Sequence, residues 1–94
     1  MHTRVGAARE TQMRRAGKAN ARLSHREVQR DCALTPRDRA LLERALDKLG
    51  LSARAYQRIL RVARSIADLA GADRIDTTHL GEAIQYRRWS TIRA

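Results

Sequence analysis

Leu51-Ser52-Ala53-Arg54-Ala55-Tyr56-Gln57-Arg58-Ile59-Leu60-Arg61-Val62-Ala63-Arg64-Ser65-Ile66-Ala67-Asp68-Leu69-Ala70-Gly71 reads as one long helix with a start, a buried face and a stop. Ser52 offers a hydroxyl to the amides of the first turn, as an N-cap does. Ala55, Ile59, Val62, Ala63, Ile66, Ala67 and Ala70 recur at three- and four-residue steps and so share one face. Gly71 ends the run, and the many alanines let a neighbouring helix approach closely.

Upstream, Thr35-Pro36 is a second start signal, because proline at the first helical position lacks a donor that would be unpaired there anyway. Leu41, Leu42, Ala45, Leu46 and Leu49 follow at helical steps until Gly50. Only Gly50-Leu51 then separates that helix from the Ser52 cap, which predicts a tight helical hairpin. Ser24-His25-Arg26-Glu27 has the form of a capping box and predicts a short helix over roughly 25–32, with Val28 and Cys32 on one face.

Downstream, Ile75 is expected to plug the bundle. Asp76-Thr77 caps a last helix carrying Leu80, Ala83 and Ile84, with Tyr86 extending that face. Residues 89–94 show no periodicity and are expected to fray. At the other end Val5, Ala8, Gln12, Ala16, Ala19 and Leu23 make a weak stripe of mostly small residues interrupted by Gly17. Too little of it is large and apolar to hold a helix alone, so the segment should be frayed or docked along another surface.

The 94 residues suffice for one small domain, and one proline, five glycines and no phenylalanine favour helix over sheet. The expected fold is all-α, a small bundle of four to five helices. A formal charge of +10 points to an anionic partner. The lone Cys32 excludes an internal disulfide and suits a buried small hydrophobe in a reducing cytosol. No apolar run approaches the roughly 20 residues of a membrane span, so a cytoplasmic protein without membrane contact is expected.

Enzyme chemistry finds little support. Gly17-Lys18 lacks the other residues of a phosphate-binding loop. His2, His25 and His79 have no paired spacing for a metal, and His79, early in the last helix, suits capping or packing better than catalysis. Nothing pairs Cys32 or any serine with a base and an orienting acid. The chain is not expected to be an enzyme by itself.

The arginines are more informative. Arg54, Arg58 and Arg61 stand at i, i+4 and i+7 on the long helix, with Arg64 adjacent. Such a stripe is ordinarily a solvated face. Arg54, however, lies two residues past the cap, where the helix dipole disfavours a cation by a few tenths of a kcal/mol or more. A helix N-terminus joined by an arginine makes a phosphate site, and the same arginine can stabilise a phosphoryl group in transfer.

Residues 51–70 as quoted, followed by Ile75, His79-Leu80 and Glu82-Ala83-Ile84-Gln85-Tyr86-Arg87, closely resemble the C-terminal domain of magnesium-chelatase-like AAA+ ATPases of the ComM/YifB type. Gln12, Arg15, Asn20-Ala21, Leu23, Cys32 and Leu34 also fit that pattern. The resemblance implies a helical lid following the nucleotide-binding core of a larger polypeptide that assembles into a homo-oligomeric ring, a hexamer. It implies residues 1–34 as a basic segment docking on the core, 35–88 as the lid bundle and 89–94 as a tail. It further implies that ATP, with magnesium, is bound mainly by the core. Arg54 then corresponds to the sensor 2 arginine that reaches the γ-phosphate, with Arg58 beside it.

Arg14, Arg15, Lys18 and Arg61 are candidates for nucleic-acid or subunit contact. Members of this type are associated with DNA branch migration in natural transformation, so the resemblance implies DNA as a partner of the whole protein. More distant relatives insert magnesium into porphyrin, but no residue here suits that metal chemistry. The competing reading is a self-standing basic helical module that binds DNA through its phosphates. With one Trp and two Tyr for stacking, such binding would be sequence-tolerant and salt-sensitive.

Overall fold

A computed structural model describes residues 4–93, with side chains described through residue 86. The described chain is helical, with α1 at Arg4–Ala16, a 3-10 turn at Asn20–Arg22, α2 at His25–Asp31, α3 at Pro36–Leu49, α4 at Ala53–Leu69 and α5 at Thr77–Arg93.

Each boundary has a local cause. At α2 the Glu27 amide donates to Ser24 Oγ at 3.2 Å while the Ser24 amide donates to Glu27 Oε1 at 2.9 Å, a complete capping box. The Asp38 amide donates to Thr35 Oγ1 at the start of α3, with Pro36 in its first turn. Gly50 ends α3 at φ 65, a left-handed conformation that a side chain would disfavour. Ser52 then receives the Ala55 amide at 3.4 Å, so α4 starts after a connection of three residues, as the sequence implies, although α3 packs more extensively on α5 than on α4.

The start of α5 uses histidine where a capping box usually has glutamate. The His79 amide donates to Asp76 Oδ1 and the Asp76 amide donates to His79 Nδ1, both at 3.1 Å. His79 is thereby a capping residue, as its position in the sequence suggests.

Helix α4 is the axis of the domain. It packs against α5, α1, α2, α3 and the 3-10 turn. Leu42, Ile59, Leu60, Ala63, Ala67, Ile75, Leu80 and Ala83 form the centre of the core, and Leu23, Val28 and Cys32 join it from the N-terminal third. Residues before 35 therefore contribute to the same core as the bundle that follows. Ile75 is the plug its isolated position implies.

Two expectations meet a different outcome. Tyr86 is 62% exposed and does not extend the buried face of α5. Residues 89–93 continue the helical backbone, since they contain no Gly or Pro to stop it. Of the two expectations for the N-terminal segment, docking is the one seen: α1 lies along α4, which supplies the surface it lacks on its own, and Ala8 is its buried residue.

Cys32 is 2% exposed, and burial pushes its thiol up to about 11 despite the nearby Arg64 charge. A thiolate is the reactive form, so the folded protein should resist thiol-directed reagents at pH 8 and label fully in concentrated guanidinium chloride. Rapid labelling of the native chain would contradict this packing.

Candidate functional site

The first turn of α4 places Arg54 at its second position, two residues beyond the Ser52 cap. No acidic residue occupies that turn. Ala53 and Arg54 carry amides that have no carbonyl one turn back to donate to within the helix. The Arg54 and Arg58 side chains are exposed, and neither has a hydrogen bond or ion pair with another described residue. The end of the helix is thus positively polarised and carries further cations.

An open groove of about 440 Å³ runs beside this turn between α2, α3 and α4. Ser52, Ala53 and Tyr56 line one wall, and Glu43 and Asp47 line the other. Those carboxylates repel a phosphate, so the groove is no anion cradle. The electrostatically open approach is along the solvent side that Arg54 and Arg58 occupy.

The remaining basic candidates have partners inside the domain. Lys18 donates to Glu27 Oε1 at 2.9 Å, joining the capping box of α2. Together with the Ser24 amide, the strongest influence, that ammonium lowers the Glu27 carboxyl from the ordinary 4.5 to about 2. Arg61 sends Nε and Nη2 to the Leu23 carbonyl at 3.1 and 2.8 Å, tying the 3-10 turn to α4. Arg14 is exposed and reaches only Thr11 Oγ1, at 3.4 Å.

Arg15 enters a cluster that periodicity does not reveal. Its Nη1 and Nη2 donate to Asp68 Oδ2 and Oδ1 at 3.3 and 2.7 Å. Asn20 Nδ2 donates to the same carboxylate at 2.9 Å and to Ser65 Oγ at 3.1 Å. Arg64 Nε donates to Asp68 Oδ1 at 3.2 Å, and its Nη1 and Nη2 reach the carbonyls of Asp73 and Ala72. Asp68 and Arg64 side chains are 0% and 3% exposed, so this is a buried polar hub within the helix that carries Arg54.

One signal could have exposed that hub in the sequence. Asp68 lies in the last turn of α4, where the negative helix end disfavours an anion as the positive end disfavours Arg54. Asp68 is the misplaced charge that the domain neutralises internally, with Arg15 and Arg64. Arg54 is the misplaced charge for which the described residues supply no counter-charge.

Residues 1–87 match the family of magnesium chelatase subunit ChlI C-terminal domains. The chain belongs to that family. It is 56% identical over 84 residues to competence protein ComM of Haemophilus influenzae, covering 89% of this chain and 16% of that protein. It is 55% identical to YifB of Salmonella typhimurium and 50% identical to YifB of Escherichia coli K12, each over 84 residues, again 89% of this chain and 17% of the relative. The chain thus spans about a sixth of the length of these relatives and corresponds to the C-terminal domain of the ComM/YifB group.

For this magnesium chelatase-type domain, no three of the described His, Cys, Asp or Glu residues gather into a metal-binding group. None of its described helices is long and apolar enough to cross a membrane.

Proposed function

We propose that this chain is the helical lid of a ring-forming AAA+ ATPase and that Arg54 is its sensor 2 residue, contacting the γ-phosphate of ATP bound in a neighbouring core. The observation that carries this reading is the free Arg54 guanidinium at the second position of α4, in a first turn without acidic residues. A terminal phosphate would be attracted by the helix end and by the guanidinium together.

ATP supplies the phosphoryl group, and the residues of this chain orient it and balance its charge. Arg54 presents the planar fork that suits phosphate oxygens, and Arg58 adds positive charge one turn further along α4. The core and its magnesium carry the remaining chemistry, so these 94 residues have no hydrolytic activity alone. In the whole protein, a change at the phosphate would be felt at Arg54 and transmitted by α4 to the bundle and then to DNA. Hydrolysis by the full-length protein carrying Arg54→Ala tests this; wild-type turnover would reject the assignment.

The basic-module reading has narrower support. It is favoured by the +10 charge and by the exposed Arg54 and Arg58, but Arg15, Lys18, Arg61 and Arg64 are engaged within the domain. Under that reading the chain alone binds duplex DNA at low salt, and affinity falls steeply as salt rises. Titration at two salt concentrations decides it, with absence of low-salt binding as the negative result.

A further inference from the structure

We infer that α1 is a releasable arm, latched to the domain through Arg15 and able to leave α4 without unfolding the rest. Three observations converge on this. First, among the described residues α1 has one substantial neighbour, α4, whereas α4 itself is held on several sides. Second, Ala8 is the only fully buried residue of α1, while Val5 and Met13 are 60% and 51% exposed. Much of its attachment is therefore polar: Arg15 to Asp68, Gln12 Oε1 accepting the Asn20 amide at 3.0 Å, and Arg4 Nε donating to the Leu69 carbonyl at 3.2 Å.

Third, Gly17 follows α1 with φ 70, and most attachments after it do not involve α1, the Gln12 bond to the Asn20 amide being the one named that crosses it. Lys18 is tied to Glu27, Asn20 to Ser65 and Asp68, the Leu23 carbonyl to Arg61, and the Leu23 side chain is buried in the core. Glycine tolerates this left-handed joint, so the backbone can turn there without a side-chain clash.

The hub is built so that release leaves no naked charge. Removing Arg15 leaves the Asp68 carboxylate with Arg64 and Asn20, and Arg64 keeps the Ala72 and Asp73 carbonyls. A buried carboxylate with one cation would be stranded by such a step; one with two cations is not. Arg15 itself has a side chain 22% exposed and can be rehydrated on leaving. The arm can thus exchange its seat on α4 for another surface while the bundle persists.

Hydrogen exchange on the intact 94-residue chain tests this. Amides from 8 to 16 should exchange by local opening, at rates insensitive to low denaturant, while the α4 core amides follow global unfolding. Arg15→Ala should accelerate the α1 amides by about tenfold or more, the worth of a charge-assisted hydrogen bond. The α4 amides should accelerate by no more than that factor and keep their steep denaturant dependence, because the latch is absent from the arm-released and the unfolded states alike. Gln12→Ala should act in the same direction through the Asn20 amide, with the donors to the Asp68 carboxylate left in place. If α1 and α4 exchange in step in the wild type, or if neither variant accelerates α1, the latch is rejected.

Discussion

Asp68→Ala should destabilise the domain by about 3–5 kcal/mol, the usual cost of removing one member of a buried ion pair. The carboxylate accepts from Arg15, Asn20 and Arg64, and its side chain is fully shielded. Alanine would leave the buried Arg64 guanidinium with only the Ala72 and Asp73 carbonyls and no counter-charge. Domains of this size are stable by about 5–15 kcal/mol in all, so the variant should lie near or past unfolding at physiological temperature. Asp73→Ala is the control, because that residue is exposed and contributes only its backbone carbonyl to the hub. Denaturant midpoints at unchanged slope separate the two; an Asp68→Ala midpoint equal to that of Asp73→Ala would mean that the cluster stabilises nothing.

The same residue gives the stability a pH dependence of definite sign. Burial alone would raise the Asp68 carboxyl, but the hydrogen bonds from Arg15 and Asn20 and the Arg64 charge outweigh it and hold it below the usual carboxylate value. A group whose folded pKa is depressed contributes fully above its unfolded pKa and loses that contribution as pH falls through the folded value. The difference between wild type and Asp68→Ala should therefore be constant near neutrality and shrink on acidification below about pH 4. A difference that grows in acid would contradict the ion-pair account.

Local signals made most of the fold legible, because each helix carries its own punctuation. Ser24, Thr35, Gly50, Ser52 and Asp76 all act at the boundaries their residue types imply. The face of α4 was harder to read. A one-sided stripe accounts for Ala55, Ile59, Ala63 and Ala67, but Leu60, Arg64 and Asp68 are also buried. Their burial comes from helices arriving on other sides of α4, including an α1 too weakly patterned to announce itself. Periodicity reports how many faces a helix buries only when all of them are apolar. Here one face is covered through charges, and Asp68 shares its sequence signal with any exposed Arg-to-Asp pair at i, i+4. Arg54 was legible for the opposite reason. A cation against the helix dipole is a local conflict, and no described part of the fold removes it.

That unresolved conflict makes Arg54→Ala in the full-length protein the most diagnostic substitution. If the guanidinium meets the γ-phosphate, its loss should lower kcat for ATP hydrolysis by about 10²–10³-fold, the usual effect of deleting one preorganised group that stabilises developing charge. Arg54→Lys should recover only part of this, since an ammonium keeps the charge but lacks the planar fork. Arg58→Ala, one turn further from the helix end, should cost less than Arg54→Ala. Folding provides the discriminating readout. Arg54 is exposed and opposes the dipole, so the 94-residue chain with Arg54→Ala should be as stable as the wild type or more stable by a few tenths of a kcal/mol. Lost turnover with undiminished stability is a pattern that a merely structural arginine cannot produce. Unchanged turnover, or a loss that follows a fall in stability, would leave Arg54 as one more solvated cation and remove the link between this domain and nucleotide.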